Sequence, residues 1–458
     1  MTVTDSSAPP RLLTAPLVDF LAGTRFAALP AAVVCQAKRC LLDLAGVAAA
    51  GATLPVAAIA RRHAREHMGA GRLRARLLLG GGAVSPAGAA FAGAATIDAF
   101  DAHDGHPLTK GHIGVSVLPT LLALAEIGRV RDGRALLTSL VLGYEIGTRA
   151  GIALHRTACD YHTSGAWGAV AAAALVARHL RLDAAATRHA IGIAEYHGPR
   201  SQMMRCIEWP TMVKDGSGWG AFAGVTAGFL AAEGFTGAPA VTVEAGDVAD
   251  LWSDLGQRWR ILEQYFKPYP VCRWAQPAVE AVAALVRDHG LSAAAVARLE
   301  IRSFREAVAL ATRRPASADE AQYSLPFPVA AYLVRGRLGG AELDGAALAD
   351  PGVLALSEAM VLTEWPAFSR LFPAERWAQA VVDLKDGRRL ESAPAVARGS
   401  AENPLDDGEL AAKFAGLAGP VLGRRRMAAI AAEVDALDRP ARDLAPLLDL
   451  LLSPVRRR

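Results

Sequence analysis

His103, His106 and His112 share one short stretch, IDAFDAHDGHPLTKGHIG, with Asp98, Asp101 and Asp104. Three of the chain's 11 histidines thus fall between positions 103 and 112. Imidazole titrates near neutral pH, and a neighbouring carboxylate can orient it or tune its charge, so this pattern suits proton transfer. The plainer reading is a solvated polar loop in which Asp98 or Asp101 caps a helix. A metal is the third reading, because Asp101, His103, Asp104, His106 and His112 are all ligand types. No HExxH or paired-cysteine spacing fixes a coordination geometry, so no metal is expected.

Four further segments carry polar groups at the ends of apolar runs. In DYHTSGAWGA, His162 precedes Thr163 and Ser164, candidate caps for a helix beginning near Gly165 whose free N–H groups could receive a carboxylate. In WPTMVKDGSGWGA, Lys214 precedes a glycine-rich bend, and Trp209, Met212, Val213 and Trp219 argue for its partial enclosure. In YFKPYPVCRWAQPA, Lys267 and Arg273 flank two stiffening prolines. With Lys214 they offer three cations for a di- or tricarboxylate, the arginine being suited to bidentate recognition. In AQYSLPFPVAAYL, Tyr323, Ser324 and Phe327 read as core packing rather than a site. No GxSxG elbow, P-loop or GxGxxG fingerprint is present, so no serine-hydrolase or nucleotide-cofactor chemistry is indicated.

The elements that must hold these groups are mostly helical. Up to about residue 260, Ala- and Leu-rich blocks predict helices over 31–49, 84–99, 117–127, 134–150, 165–180, 184–194 and 218–233. Beyond Lys267 the pattern changes. ARLEIRSF (298–305) reads as a strand, and 378–393 as a hairpin turning at Asp386-Gly387. Helical stretches at 274–287 and 325–335 surround these strands, and helices return at 407–418, 425–436 and near 440–452. The expected fold is mainly α with an inserted α+β domain. Residues 1–266 and 403–458 would form one large helical domain, and 267–402 a smaller α+β lid. A cleft between the two is a frequent place for a small-molecule site.

Composition sets outer limits. The chain has 458 residues, 52% of them hydrophobic, and a formal charge of +4. Its mean hydropathy is +0.23. No apolar run approaches the roughly 20 residues of a membrane span, so helix packing and a subunit interface are the expected outlets for this surface. Dispersed Arg and Lys argue against nucleic acid, the Arg456–Arg458 tail being too short to change that. Cysteines 35, 40, 159, 206 and 272 form no CxxC pair, and MTVTDSSAPPRLL is unlike a secretory signal, so a cytoplasmic location is expected.

Taken in order, FDAHDGH, GHIGVSVLPTLLALAE, GYEIGTRAG, YHTSGAWGAVAAAALVARHL, VKDGSGWGAFAGVTAGFLAAEGFTG, FKPYPVCRWAQPAVEAV and YSLPFPVAAYL resemble the MmgE/PrpD family across residues 20 to 450. That family holds 2-methylcitrate dehydratases, cis-aconitate decarboxylases and iminodisuccinate epimerases. The resemblance implies a homodimer, a helical domain with a lid, and chemistry without metal or organic cofactor. It implies acid–base roles for Asp101, His112, His162 and Lys214, with Lys267 among the substrate-binding groups. His106 and Arg273 join that substrate-binding set. The first loop departs from the family's DFDD-type string, and Phe327 stands where many relatives place a tyrosine, which argues against decarboxylation of cis-aconitate. The expectation is a hydro-lyase of the dehydratase type acting on a small hydroxy-di- or tricarboxylate. The alternatives are a decarboxylase or epimerase with the same apparatus, or a non-catalytic carboxylate binder.

Overall fold

The computed structural model describes residues 15–455; the MTVTDSSAPPRLL stretch and the Arg456–Arg458 tail lie outside the described residues. Helices dominate. Those nearest the site are Ala31–Gly51, Pro86–Asp98, Gly114–Glu126, Gly133–Thr157, Gly165–Leu180 and Ser217–Ala232. Helix Gly114–Glu126 begins three residues before the expected start, at Gly114, which lies directly against the Tyr144 hydroxyl where only a glycine fits.

Small residues let these helices approach closely. Gly220 of helix Ser217–Ala232 rests on the Gly165 backbone, with no room for a Cβ. Gly224 packs in the same way against Ala169 and Ala172. The Ala-rich composition is therefore a packing device, trading side-chain volume for short interhelical distances.

The strands lie where the sequence places them. Val296–Ser303 pairs antiparallel with Trp377–Leu384, which turns back into Arg389–Glu391. A strand not foreseen, Val361–Glu364, adds to the other edge of Val296–Ser303 in parallel. Its sequence, VLTE, is short and is followed by Trp365-Pro366, so it lacks a clear alternation. The helix Pro55–His67 and a small hairpin, Ala75–Leu77 with Gly81–Val84, were also not foreseen.

Apolar side chains gather in two main buried clusters. The larger joins Leu17 through Phe266 to Leu405 through Leu452, so both ends of the chain build it. The second runs from Val271 to Leu384 and also takes in Met203, Cys206 and Ile207. Among the described residues no single helix is long and apolar enough to cross a membrane; only the pair Ala31–Gly51 and Pro55–His67, bent by 91°, passes on length and composition.

Candidate active site

The loop between Asp98 and Gly114 is mostly buried, only its 107–110 tip reaching solvent. Asp98, Asp101, His103, Asp104, His106 and His112 are all buried, against the reading of an exposed polar loop. Rigid neighbours hold it: Gly105 exchanges backbone hydrogen bonds with Tyr265 at 3.1 and 2.7 Å, and Arg376 Nη2 donates to the Pro107 carbonyl at 2.7 Å. Gly111 is needed there because a Cβ would lie 2.6 Å from Ser164 Oγ.

His112 is the most closely positioned group. Its N–H donates to Ser164 Oγ at 2.9 Å, and Trp167 Nε1 donates to its carbonyl at 2.8 Å. Its Nδ1 lies 2.5 Å from the Asp104 carbonyl oxygen. A carbonyl can only accept, so Nδ1 carries the proton and Nε2 presents a lone pair. That Nε2 is 3.9 Å from Asp101 Oδ1 and 3.7 Å from Asp215 Oδ2, too far for direct bonds. Burial, then the His103 ring and Lys267, push the His112 imidazole down to about 3, so it is neutral at physiological pH.

Carboxylates and lysines surround this imidazole. Asp101 is bonded by Lys267 Nζ, and its backbone N–H donates to Gln322 Oε1 at 2.7 Å. Burial favours its protonation, but Lys267, His103 and His112 outweigh that and hold the carboxyl below the usual range. Lys214 Nζ is 3.0 Å from both Gln322 Oε1 and Asp319 Oδ1. Lys214 has a φ of +46°, rare for a residue with a side chain and a cost accepted at functional positions. Asp215 accepts from Ser164 Oγ at 2.6 Å and from the Tyr323 hydroxyl at 3.4 Å, and burial pushes its carboxyl up. Asp98, 3.4 Å from His103 Nε2, is pushed up to about 6 by burial.

The fold therefore brings Asp101, His112, Lys214 and Lys267 together, and it adds Asp98, His103, Asp215, Gln322 and Tyr323. Three proposed groups are engaged elsewhere. His106 Nε2 is 2.8 Å from Glu263 and its Nδ1 accepts from the Leu108 N–H. His162 is 3.0 Å from Asp160, bonds the Arg200 carbonyl at 3.1 Å, and takes no part in the His112 contacts. Arg273 is fully occupied by Gln276, Ala397, Arg398 and Ser400, where it ties the 397–400 backbone. Ser164 heads helix Gly165–Leu180, but its hydroxyl serves Asp215 and His112 rather than capping. The first N–H of that helix goes to the Asp215 carbonyl at 3.0 Å, so it is not open to a ligand anion.

Asp215 was overlooked beside Lys214, although its place in a glycine-rich bend was a signal. Tyr323 was assigned to core packing and reaches the site instead. Phe327 is wholly core, and the phenol that reaches Asp215 is that of Tyr323, four residues earlier. Asp98 does act partly as a cap, accepting the Ser217 N–H at 3.3 Å.

Asp101, His103 and His112 could each offer one ligand atom within 4.8 Å of the others, a carboxylate with two imidazoles. A cation there would compete with Lys267, which already bonds Asp101 Oδ1.

Comparison with known proteins agrees with this chain-wide pattern. Residues 15–254 match the MmgE/PrpD N-terminal domain and residues 269–439 the MmgE/PrpD C-terminal domain. The chain is 25% identical to a cis-aconitate decarboxylase-like protein, oryM, of Aspergillus oryzae, over 98% of its own length and 99% of that protein. It is equally 25% identical to a cis-aconitate decarboxylase of Aspergillus terreus, with 93% of each chain covered.

Proposed function

We propose, for a chain that belongs to the MmgE/PrpD family, a lyase that works without metal or organic cofactor on a small polycarboxylate, eliminating water as a dehydratase does. The observation that carries this reading is a buried, neutral His112 whose Nε2 lies 3.9 Å from Asp101 and 3.7 Å from Asp215, with Lys267 bonded to that Asp101 and Lys214 linked to it through Gln322.

A carboxylate acidifies the neighbouring C–H only modestly, so the reaction needs a base and charge neutralisation together. His112 Nε2 takes the proton. Lys267 and Lys214 hold substrate carboxylates and offset the charge that grows on them. Asp215, its carboxyl raised by burial, protonates the departing hydroxyl. Asp101 fixes Lys267 and favours the imidazolium that forms. A second reading, decarboxylation, is favoured by the Tyr323 hydroxyl, which can protonate the carbanion left by carbon dioxide, and by the names of the two Aspergillus relatives.

The test is proton NMR in heavy water with a panel of di- and tricarboxylic acids. The expected result is deuterium entry at a carbon next to a carboxylate together with loss of water from one acid. Release of carbon dioxide selects the second reading. Absence of exchange in every acid overturns both.

A further inference from the structure

Lys214 and Lys267 are each matched by a carboxylate, and Arg273 is occupied by backbone carbonyls. Two cations beside the same loop are not. Lys110, at the loop's tip, and Arg376, one residue before the strand Trp377–Leu384, have no carboxylate within ion-pair reach among the described residues. Lys110 Nζ stands 3.9 Å from the centre of the Tyr161 ring. Arg376 Cζ stands 5.8 Å from that of Phe372, and those two rings meet edge to face at 5.8 Å. The cations thus lie over adjoining rings. Burial first, then Arg376, lowers the Lys110 ammonium to about 8, while Glu306 acts on it only at a distance. Ring contacts offset part of the desolvation, but they neutralise neither charge.

Unused donors gather at the same place. Arg376 donates through Nη2 to the Pro107 carbonyl at 2.7 Å, and its Nε is buried without a partner. His155 Nε2 accepts the His162 N–H at 3.1 Å, so its Nδ1 carries the proton, and that N–H is also buried and unpartnered. The His155 ring meets Tyr161 edge to face at 6.0 Å. Lys110 has a φ of +53°, rare for a residue with a side chain. Desolvated donors and charges destabilise a fold unless something pairs with them. Lys110 and Arg376 are only part-buried, so that partner can come from solvent. A guanidinium fork suits the oxygens of a phosphate or carboxylate, and an ammonium beside it adds a point charge.

We infer that Lys110, His155 and Arg376 form an oxyanion site outside the catalytic cluster, taking inorganic phosphate or a small carboxylate, and that the bound anion ties the loop tip to the 372–376 segment. The site involves neither His112 nor the two paired lysines, so it stands or falls apart from the lyase reading.

The experiment is isothermal titration of the full chain with sodium phosphate and, separately, with succinate, at an ionic strength fixed by sodium chloride. Tighter phosphate names phosphate as the occupant and tighter succinate a carboxylate; either supports the site. Arg376→Gln should weaken binding about 10- to 100-fold, the span of a lost charged hydrogen bond. Lys110→Gln should weaken it about fivefold or more, and it decides the matter if Arg376→Gln does not fold. Lys214→Met, which removes an ammonium from the catalytic cluster, should leave the phosphate titration unchanged. Amide hydrogen exchange at 108–111 should slow when phosphate saturates the wild type. Absence of binding by both anions overturns the inference. So does binding that survives Arg376→Gln and Lys110→Gln, or that is lost in Lys214→Met. Unchanged exchange at saturation overturns the tie between loop and segment.

Discussion

At the scale of single residues, the site depends on which groups burial has left neutral. His103 and His112 are both pushed down to about 3, by burial first, against about 6.5 in an unfolded chain. Between those values the unfolded chain binds protons that the folded chain refuses, so these two histidines make stability fall as pH drops. Asp98 and Asp104 act in the opposite sense. Burial raises them to about 6 and about 7, so the folded chain keeps protons that an unfolded carboxyl, near 3.9, releases. Two groups oppose two groups between pH 6 and 4. His103→Gln removes one of the two histidines from that balance, and its stability relative to wild type should rise on acidification by up to about 1.4 kcal/mol per pH unit. Urea midpoints at pH 6 and 4 measure this; parallel profiles for the two proteins would mean that His103 is charged in the fold. His112→Ala should lower kcat by about 10²-fold or more with the circular dichroism spectrum retained. Normal turnover in a folded variant would remove His112 from the chemistry.

Elements were easier to read from the sequence than contacts. Helices at 31–49, 165–180 and 184–194 and the strand near 298–305 were visible because apolar periodicity and glycine punctuation are local signals. Val361–Glu364 was not visible, since a four-residue edge strand is defined by its neighbour Val296–Ser303 rather than by its own pattern. The same distinction divides the site. Asp101, His112, Lys214 and Lys267 were legible from residue type and setting. That Asp215 would face His112, or that Gln322 would bridge Asp101 and Lys214, depends on chain segments more than a hundred residues apart meeting in space. Arg273 shows the converse: a cation beside two prolines was expected to bind substrate, and in the fold backbone carbonyls hold it. Helix packing offers its own test. Gly220→Val would drive two methyl groups into the Gly165 backbone and should destabilise the fold by about 1–3 kcal/mol. Because Lys214 and Asp215 lead directly into that helix, activity should fall before the protein melts. Thermal unfolding and a rate assay at 25 °C check both points, and an unchanged melting temperature would show that the contact yields cheaply.

On the scale of the whole molecule, the site closes over its own charges. Asp319 and Gln322 reach Lys214 from the segment that follows the strand Val296–Ser303, and Arg376 grips the loop at Pro107. On the function proposed above, substrate carboxylates displace these internal partners and both lysines act on one ligand. Lys214→Met and Lys267→Met should each reduce kcat/KM strongly, and the double variant should lose less than the sum of the two. Full additivity in the three sets of kinetics would mean that the lysines serve separate ligands. One contact reaches further along the chain than any of these. Lys413, on helix Asp407–Leu422, bonds Asp43 Oδ1 at 2.5 Å and the Ala102 carbonyl at 2.6 Å, directly beneath the loop that carries Asp101 and His112. Asp43 is fully buried. During synthesis the ribosome emits this loop some three hundred residues before the lysine that neutralises its neighbour. Until then Asp43 lacks the ammonium that pairs with it in the fold, and the loop lacks one of its anchors. A nascent chain arrested before residue 413 should hold most of its helices and yet be catalytically silent, so that competence arrives with translation of the last helices.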